Sequence, residues 1–294
     1  MTRLVMLVAF VVLGPLVGGL MDGAARVLSA RLQSRVGPPL LQPFYDFFKL
    51  MQKQRALVRR LQVLYMIVYL LFTVLAGALL FSGDDILLFY FCLTLANVFF
   101  VLAGYSSNSP FSHIGAEREL IQLLSYEPAL MLIIVGLYVA SGSFQVRQIM
   151  MTPVPLALYL PGCLIALVPM ILVKQGRSPF DLSTSHHAHQ EIVKGITSDF
   201  SASTLAVLEL VHWYKNCYLY GLVALFFSFS WWAALIAVAA MFLLTVLMDN
   251  SFGRFTYGQT LRVLWAVTLA AAFGNITVLY ILRFFSPVLL KGGA

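Results

Sequence analysis

The sequence predicts an all-α, polytopic integral membrane protein with about eight transmembrane helices. Of its 294 residues, 61% are hydrophobic and only 11% are charged, whereas soluble domains carry about 25% charged residues. The apolar runs are long and continuous, unlike the short alternating segments of a transmembrane β-barrel. Because unpaired backbone groups are costly in lipid, a bundle of spanning helices is the expected architecture.

Eight apolar segments, separated by short polar connections, define the predicted spans. They cover residues 4–22, 62–82, 86–104, 119–141, 157–173, 204–228, 231–248 and 263–284. The first segment has no small-residue cleavage site after it, so we interpret it as a membrane anchor rather than a signal peptide. Without an internal repeat or a soluble segment, the chain is expected to form a single membrane domain over residues 1–294.

The basic residues predict the orientation in the membrane. Most of the 19 Lys and Arg residues fall in the first, third, fifth and seventh connections, and cytoplasmic connections are typically enriched in these residues. We therefore expect a multi-pass protein of the cytoplasmic membrane with both termini on the outer side. The net charge of +7 then reflects topology, and no nucleic-acid partner is expected because the chain lacks a soluble basic face.

The first connection contains a predicted amphipathic helix between Leu40 and Gln54. Its apolar residues recur at helical spacing, whereas its charged residues occupy other positions. Such a helix is typical of the membrane interface, and it could equally be a docking surface for a cytoplasmic subunit.

Carboxylates in the fourth predicted span are candidates for ion transfer, because ionisable groups in a membrane usually line a bundle interior or a water cavity. Glu117 and Glu119 lie near its cytoplasmic end, where pairing with Arg118 is the alternative interpretation. Glu127 is deeper and directly precedes Pro128, which disturbs the helix one turn back and frees a carbonyl for water or a proton donor.

The sixth predicted span contains a second set of ionisable residues. At 100° per residue, Glu209, His212 and Asn216 fall within about 60° of each other, and Lys215 is displaced from that stripe. These groups could relay protons, or they could form a structural ion pair that fixes helix packing.

The fifth connection, Lys174–Gly195, is unusually polar for this chain. Its candidate coupling residues, together with the aspartate that follows, are Arg177, Asp181, His187, His189, Glu191 and Asp199. His187 and Glu191 have the i, i+4 spacing of a zinc pair, but a wet loop without a ligand is the commoner use of such a segment. We predict no metal site in this chain. The cysteines, Cys92, Cys163 and Cys217, are far apart and give no basis for an iron–sulfur cluster or a nickel thiolate centre.

Three motifs, in this order, resemble the membrane subunit shared by respiratory complex I, where it is the quinone-proximal subunit, and membrane-bound nickel–iron hydrogenases. After the first span, RVGP at residues 35–38 is followed by LQP at 41–43, Asp46 and Lys49. SYE at residues 125–127 is similar to the family motif of the fourth span, and SPFDL at 178–182 is similar to its PFDL loop. Each motif is weak alone, but their order in an eight-span chain is specific.

One departure from the family pattern indicates a branch. Complex I and formate hydrogenlyase follow PFDL with a run of alternating glutamates, where this chain has imidazoles at His187 and His189 and retains only Glu191. This pattern resembles the energy-converting, ferredoxin-linked hydrogenases, which use no quinone.

The resemblance implies a non-catalytic subunit of a hydrogenase complex, which couples electron transfer from reduced ferredoxin to H2 formation and to movement of H+ or Na+. The nickel–iron centre and the iron–sulfur clusters would lie on partners: the hydrogenase large and small subunits and an iron–sulfur subunit, alongside an antiporter-like membrane subunit. It implies an ion path through Glu117, Glu119, Glu127, Glu209, His212 and Lys215. It implies docking of partner subunits at Arg35, Gly37, Pro38, Gln42, Asp46 and Lys49.

Three other functions remain open from the sequence. The chain could be the quinone-site subunit of a complex I-like oxidoreductase, against which the missing glutamates argue weakly. It could be a stand-alone secondary transporter, although such proteins commonly show internal repeats. It could also be a structural anchor without an ion path.

Overall fold

The chain forms a bundle of α-helices. A computed structural model describes residues 2–54, 59–152, 155–180, 182–183 and 194–285, without the side chains of residues 2, 4 and 283–285. The first six helices are α1 (Thr2–Leu32), α2 (Gln42–Gln52), α3 (Arg60–Ser82), α4 (Ile86–Tyr105), α5 (Pro110–Ser141) and α6 (Val146–Met150). The next six are α7 (Leu156–Tyr159), α8 (Pro161–Gln175), α9 (Ser203–Phe226), α10 (Trp231–Ser251), α11 (Tyr257–Leu264) and α12 (Gly274–Phe285). A π-helical segment, Trp265–Phe273, joins α11 to α12, so these three form one continuous helix.

The all-α membrane architecture predicted from composition is confirmed. Six helices of the described chain are long and apolar enough to cross a membrane: α1, α3, α4, α5, α10 and the continuous α11–α12 helix. The other two predicted spans correspond to α8, which is apolar but has 15 residues, and to α9, which has 24 residues and contains Glu209 and Lys215.

The helix that contains the first span is longer than the sequence predicts. Helix α1 continues ten residues past the predicted end at residue 22, through Asp22 and Arg26, to Leu32. These two residues pair across one helical turn, with Arg26 Nη2 3.0 Å from an oxygen of Asp22. A polar pair of this kind lets the helix continue beyond the apolar run on which the prediction relied.

Helix α9 is the central element of the packing. It contacts α1, α3, α8 and α10, and α5 packs between α4 and α8. The approach of α1 to α9 is close: a Cβ atom on Gly18 would lie 2.0 Å from the carbonyl oxygen of Trp213. Tyr214 strengthens the same contact by donating a hydrogen bond of 2.7 Å to the carbonyl of Val11.

The predicted amphipathic helix is confirmed as α2. Its inner face packs on α9, where the Phe44 and Phe47 rings lie 4.9 and 5.4 Å from the Trp213 ring, measured between centroids. Tyr45, Phe48 and Met51 are exposed on its other face. The helix therefore joins the bundle on one side and keeps an apolar surface free on the other.

Residues 176–180, 182–183 and 194–202, at the two ends of the fifth connection, are anchored to the bundle. Ser178 N donates to Asp249 Oδ1 (2.9 Å), Phe255 N donates to the Pro179 carbonyl (3.0 Å), and the Phe180 side chain is buried. A short 3-10 turn, Gly195–Thr197, then packs against the start of α5. Both ends of the connection thus contact helices of the bundle.

Candidate functional site

A polar cavity of about 450 Å³ lies between α1, α9 and the end of α8. Its lining consists of polar or charged side chains: Asp22, Arg26, Gln175, Arg177, Glu209, His212 and Asn216. The three residues of the stripe predicted on α9, Glu209, His212 and Asn216, therefore face the same cavity. Helix α1 supplies the groups opposite them.

The charges of this cavity continue to α2. Arg26 Nη1 lies 3.0 Å from Asp46 Oδ2, and Gln42 donates to the other oxygen of Asp46 at 2.9 Å. Glu209 lies within electrostatic range of Arg26, Asp22 and Asp46. Arg26 is thus the shared cation of three carboxylates, and it connects α2 to the cavity.

A hydrogen-bonded network leads from the cavity into the bundle. Gln175 donates to Asn216 Oδ1 at 3.0 Å and to the Tyr220 hydroxyl at 3.2 Å. Tyr220 in turn shares a 2.9 Å hydrogen bond with Thr245, to which Arg177 also donates at 3.3 Å. The network fixes Arg177 against α9 and α10.

Two lysines are buried deeper in the bundle, where a charge is costly unless other groups compensate it. Lys174 and Lys215 are each 5% exposed. The Lys174 ammonium lies 4.1 Å from the Tyr126 ring centroid, and the Lys215 ammonium lies 5.4 Å from that of Tyr69. Among the described residues neither lysine has a carboxylate within 4.0 Å, so the aromatic faces are the closest stabilising groups.

Two carboxylates of α5 accompany these lysines. Glu119 lies within electrostatic range of both Lys215 and Lys174, and Glu127 within range of Lys174. Glu127 Oε1 is buried and accepts no hydrogen bond from the described part of the chain. The hydroxyls of Tyr69 and Tyr218 are also buried, and neither has a hydrogen-bond partner in the described part of the chain. Unsatisfied buried oxygens of this kind are places where water molecules bind in proteins.

The predicted ion-path residues therefore fall into three groups. Glu209 and His212 line the polar cavity. Glu119, Glu127 and Lys215 belong, with Lys174 and the Tyr69 and Tyr218 hydroxyls, to a second group, which we name the buried lysine cluster. Glu117 lies apart from both, because its side chain is exposed at the α5 surface, within electrostatic range of Tyr105.

The predicted coupling residues are only partly described. Asp199 accepts a hydrogen bond from Ser109 N at 3.2 Å. Nearby, the Ser112 hydroxyl donates to the Ile196 carbonyl at 2.8 Å. Arg177 lines the polar cavity. The remaining members of the set lie outside the described residues: Asp181, His187, His189 and Glu191.

The predicted docking residues divide into internal and external ones. Gln42 and Asp46 connect α2 to Arg26, and Gly37 lies against α1, where a Cβ would be 3.1 Å from Val27 Cα. Arg35 and Lys49 are exposed, and Pro38 belongs to the same connection. Part of this motif thus holds the chain's own helices together.

Several residues of the site are not predicted by the sequence patterns. Asp22 is the last residue of the predicted first span and Arg26 lies beyond it, and their i, i+4 spacing with opposite charges is the signal that could have found them. Lys174 counts among the basic residues of a connection in the sequence, yet its side chain is buried beneath Tyr126. No local pattern distinguishes a lysine that faces the cytoplasm from one whose side chain packs on a neighbouring helix.

In the described residues no group of three or more His, Cys, Asp or Glu side chains is arranged to hold a metal ion. The histidines considered for zinc lie outside that part of the chain.

A family profile described as NADH dehydrogenase matches residues 3–280. The chain belongs to this family. The membrane-subunit family predicted from the RVGP, SYE and SPFDL motifs is thereby confirmed.

Relatives of this family member include two Escherichia coli proteins. Hydrogenase-4 component C is 28% identical over 282 positions, covering 84% of this chain and 86% of the relative. Formate hydrogenlyase subunit 4 is 29% identical over 287 positions, covering 85% and 90%. A subunit of the NADH-quinone oxidoreductase of Thermomicrobium roseum is 29% identical over 330 aligned positions, covering 94% and 95%.

The fold also matches a solved structure. A chain of the membrane-bound sulfane sulfur reductase, an archaeal respiratory membrane complex, superposes with a TM-score of 0.85 at 22% identity, covering 95% of this chain and 100% of the other. The relatives are thus membrane subunits of hydrogenase-type and complex I-type assemblies.

Proposed function

We propose that the chain is the membrane anchor and ion-path subunit of a multisubunit energy-converting hydrogenase. Its complex would pass electrons from reduced ferredoxin to protons, forming H2 reversibly, and would couple this reaction to movement of H+ or Na+. The redox centres would lie on the hydrogenase large and small subunits and the iron–sulfur subunit. The two Escherichia coli relatives support the hydrogenase assignment by their names.

The observation that carries the ion-path proposal is the buried lysine cluster. Two buried ammonium groups and two buried, unsatisfied tyrosine hydroxyls lie in the bundle, accompanied by two half-buried carboxylates. Keeping the two ammonium groups away from water costs free energy, and apolar side chains would fill a purely structural role at a lower free energy. Proton or ion transfer gives a reason for their presence.

The proposed route begins at the polar cavity. Glu209 and His212 would exchange ions with the cytoplasmic side, and Lys215, one helical turn from His212, is the next ionisable group inward. From Lys215 the electrostatic contacts lead to Glu119, then to Lys174, and finally to Glu127. The Tyr69 and Tyr218 hydroxyls could hold intervening water molecules.

Coupling to the redox subunits would act at the two ends of the fifth connection. Arg177 belongs to the polar cavity, and Asp199 is bonded to the start of α5, the helix that contains Glu119 and Glu127. A protonation change in a docked module could therefore shift both the cavity and α5. The exposed face of α2 and the nearby Arg35 and Lys49 provide a surface for that module.

The deciding experiment compares Glu127→Gln with Glu117→Gln in the assembled complex. We expect Glu127→Gln to leave assembly and H2 formation by uncoupled membranes nearly intact while reducing the ion gradient formed per H2 by at least about tenfold. Glu117→Gln should behave as wild type, because this carboxylate is exposed on the same helix. Unchanged gradient formation in Glu127→Gln would refute the proposed path, and loss of assembly alone in both variants would favour a structural anchor.

A quinone-site subunit is the second candidate, and the polar cavity favours it. A volume of about 450 Å³ is within the range of small-molecule sites, and guanidinium, imidazole and amide groups converge on it. The Thermomicrobium roseum relative is named as a quinone oxidoreductase subunit. Extraction of the intact complex would distinguish the two candidates: stoichiometric quinone that is lost in His212→Ala supports this alternative, and its absence supports the hydrogenase.

A further inference from the structure

A second groove, at the opposite end of the bundle from the polar cavity, belongs to no part of the proposed ion path. It has a volume of about 450 Å³ and lies where the start of α1, the end of α3 and the short helix α6 meet. We name it the N-terminal groove. Arg3 and Arg147 contribute guanidinium groups to it, and Met6, Phe81, Met150 and Met151 supply apolar surface.

The backbone holds Arg147 in this groove. Gly83 ends α3 with a positive φ of 82°, which glycine adopts without strain, and its carbonyl accepts a hydrogen bond of 3.2 Å from Arg147 N. The neighbouring Val146 N donates to the Asp84 carbonyl at 2.9 Å. A short two-stranded contact thus places one guanidinium beside the end of α3.

The charges in the groove leave a positive excess on Arg147. Arg3 is paired with Asp84 at 3.4 Å, and Asp84 also accepts a hydrogen bond from Ser82. Asp85 is not among the residues that line the groove, and its carboxylate accepts from Leu87 N at the start of α4. Arg147 is exposed and has no carboxylate within 4.0 Å among the described residues.

The groove lies at the level where lipid headgroups are expected. Helix α9 ends on the same side as α3, because a Cβ on Gly221 would lie 3.0 Å from the Phe81 ring. Shortly after α9, Trp231 and Trp232 are stacked at 3.7 Å and exposed, as in the aromatic belts of membrane interfaces. Met6, which lines the groove, also belongs to the exposed apolar face of α1.

We propose that the N-terminal groove binds one anionic phospholipid. The phosphate is held by Arg147, whose planar guanidinium matches a phosphate, with Arg3 as its neighbour. One acyl chain lies along Met6 and Phe81, where the flexible methionine adapts to an irregular chain. A free inorganic phosphate would use only the arginines and would leave this apolar surface unexplained, so the occupant is a lipid.

The test titrates lipid into the delipidated, detergent-solubilised complex and counts bound molecules by native mass spectrometry. The probes are phosphatidylglycerol, phosphatidylcholine and inorganic phosphate. We expect phosphatidylglycerol to bind the wild-type complex more tightly than phosphatidylcholine, and Arg147→Gln to weaken that binding about fivefold, the effect of one basic residue on anionic lipid. Arg147→Lys keeps the charge but loses the planar donor pair, so its affinity should lie between those of the wild type and Arg147→Gln.

The control is Arg60→Gln, which removes an exposed arginine from the other end of α3 and should leave the phosphatidylglycerol affinity unchanged. If Arg147→Gln prevents assembly, Arg3→Gln replaces it, with a smaller loss expected because Asp84 already neutralises this arginine. The proposal is overturned by wild-type affinity in the Arg147 and Arg3 variants, by equal binding of phosphatidylcholine, or by displacement of the lipid with millimolar inorganic phosphate.

Discussion

The ammonium of Lys174 lies over the ring of Tyr126, 4.1 Å from its centroid, and Tyr126 is next in sequence to the carboxylate of Glu127. Lys174 is the last residue but one of α8, and its side chain folds into the bundle rather than toward the connection that follows. A lysine in this position can respond to charge on α5 and on α9, because both Glu119 and Lys215 lie within its electrostatic range.

Replacing Lys174 by methionine should separate a structural from a transport role. Methionine keeps the length and removes the charge, and with it the desolvation cost of a buried charge that has no close carboxylate. We therefore expect an unchanged or higher melting temperature of the complex, together with loss of ion translocation coupled to turnover. A large drop in melting temperature would show that Lys174 acts mainly as a structural cation.

The ion pair between Arg26 of α1 and Asp46 should help to hold α2 against the bundle. Because both side chains are partly exposed, removal of the carboxylate by Asp46→Ala should cost no more than about 1 kcal/mol in the free energy of unfolding. The local effect should be clearer: faster amide hydrogen exchange throughout α2, without change in α3 or α5. Lys49→Ala, an exposed change on the same helix, is the matched control. Equal exchange in the two variants would contradict this role of Asp46.

The sequence predicted the helical class, the amphipathic helix α2 and the polar stripe on α9, because each depends on composition or on periodicity along one segment. It did not predict the partners of that stripe. Asp22 and Arg26 reach Glu209 only because α1 approaches α9 closely at Gly18, a tertiary contact without a local pattern. Lys174 was missed for the same reason, since burial of its side chain depends on where Tyr126 lies.

The close contact of Gly115 with Ile196 links the end of the fifth connection to α5. A Cβ atom at this position would lie 2.2 Å from Ile196 N, so Gly115→Ala must displace the 3-10 turn and weaken the nearby Ser112–Ile196 hydrogen bond of 2.8 Å. We expect faster hydrogen exchange at residues 194–202 and lower coupled activity. Gly274→Ala, where a Cβ meets no atom of the described residues within 4 Å, should leave both measurements unchanged. Wild-type exchange in Gly115→Ala would rule out this contact as a rigid connection.

Gly18 gives the sharpest stability prediction, because the obstacle to a side chain there is backbone. In Gly18→Ala the new methyl group would lie 2.0 Å from the Trp213 carbonyl oxygen and 2.7 Å from its Cα, so α1 and α9 must separate. Overpacking of this kind typically costs about 1–3 kcal/mol, and we expect a lower melting temperature and a lower yield of complex. Separation of the two helices should also widen the polar cavity between Asp22 and Glu209. The matched control is Gly258→Ala in α11, where a Cβ meets no atom of the described part of the chain within 4 Å. This substitution should stabilise the helix by up to about 1 kcal/mol. Similar melting temperatures for the two variants would mean that α1 can move away from α9 without cost, and the contact would then not position the cavity.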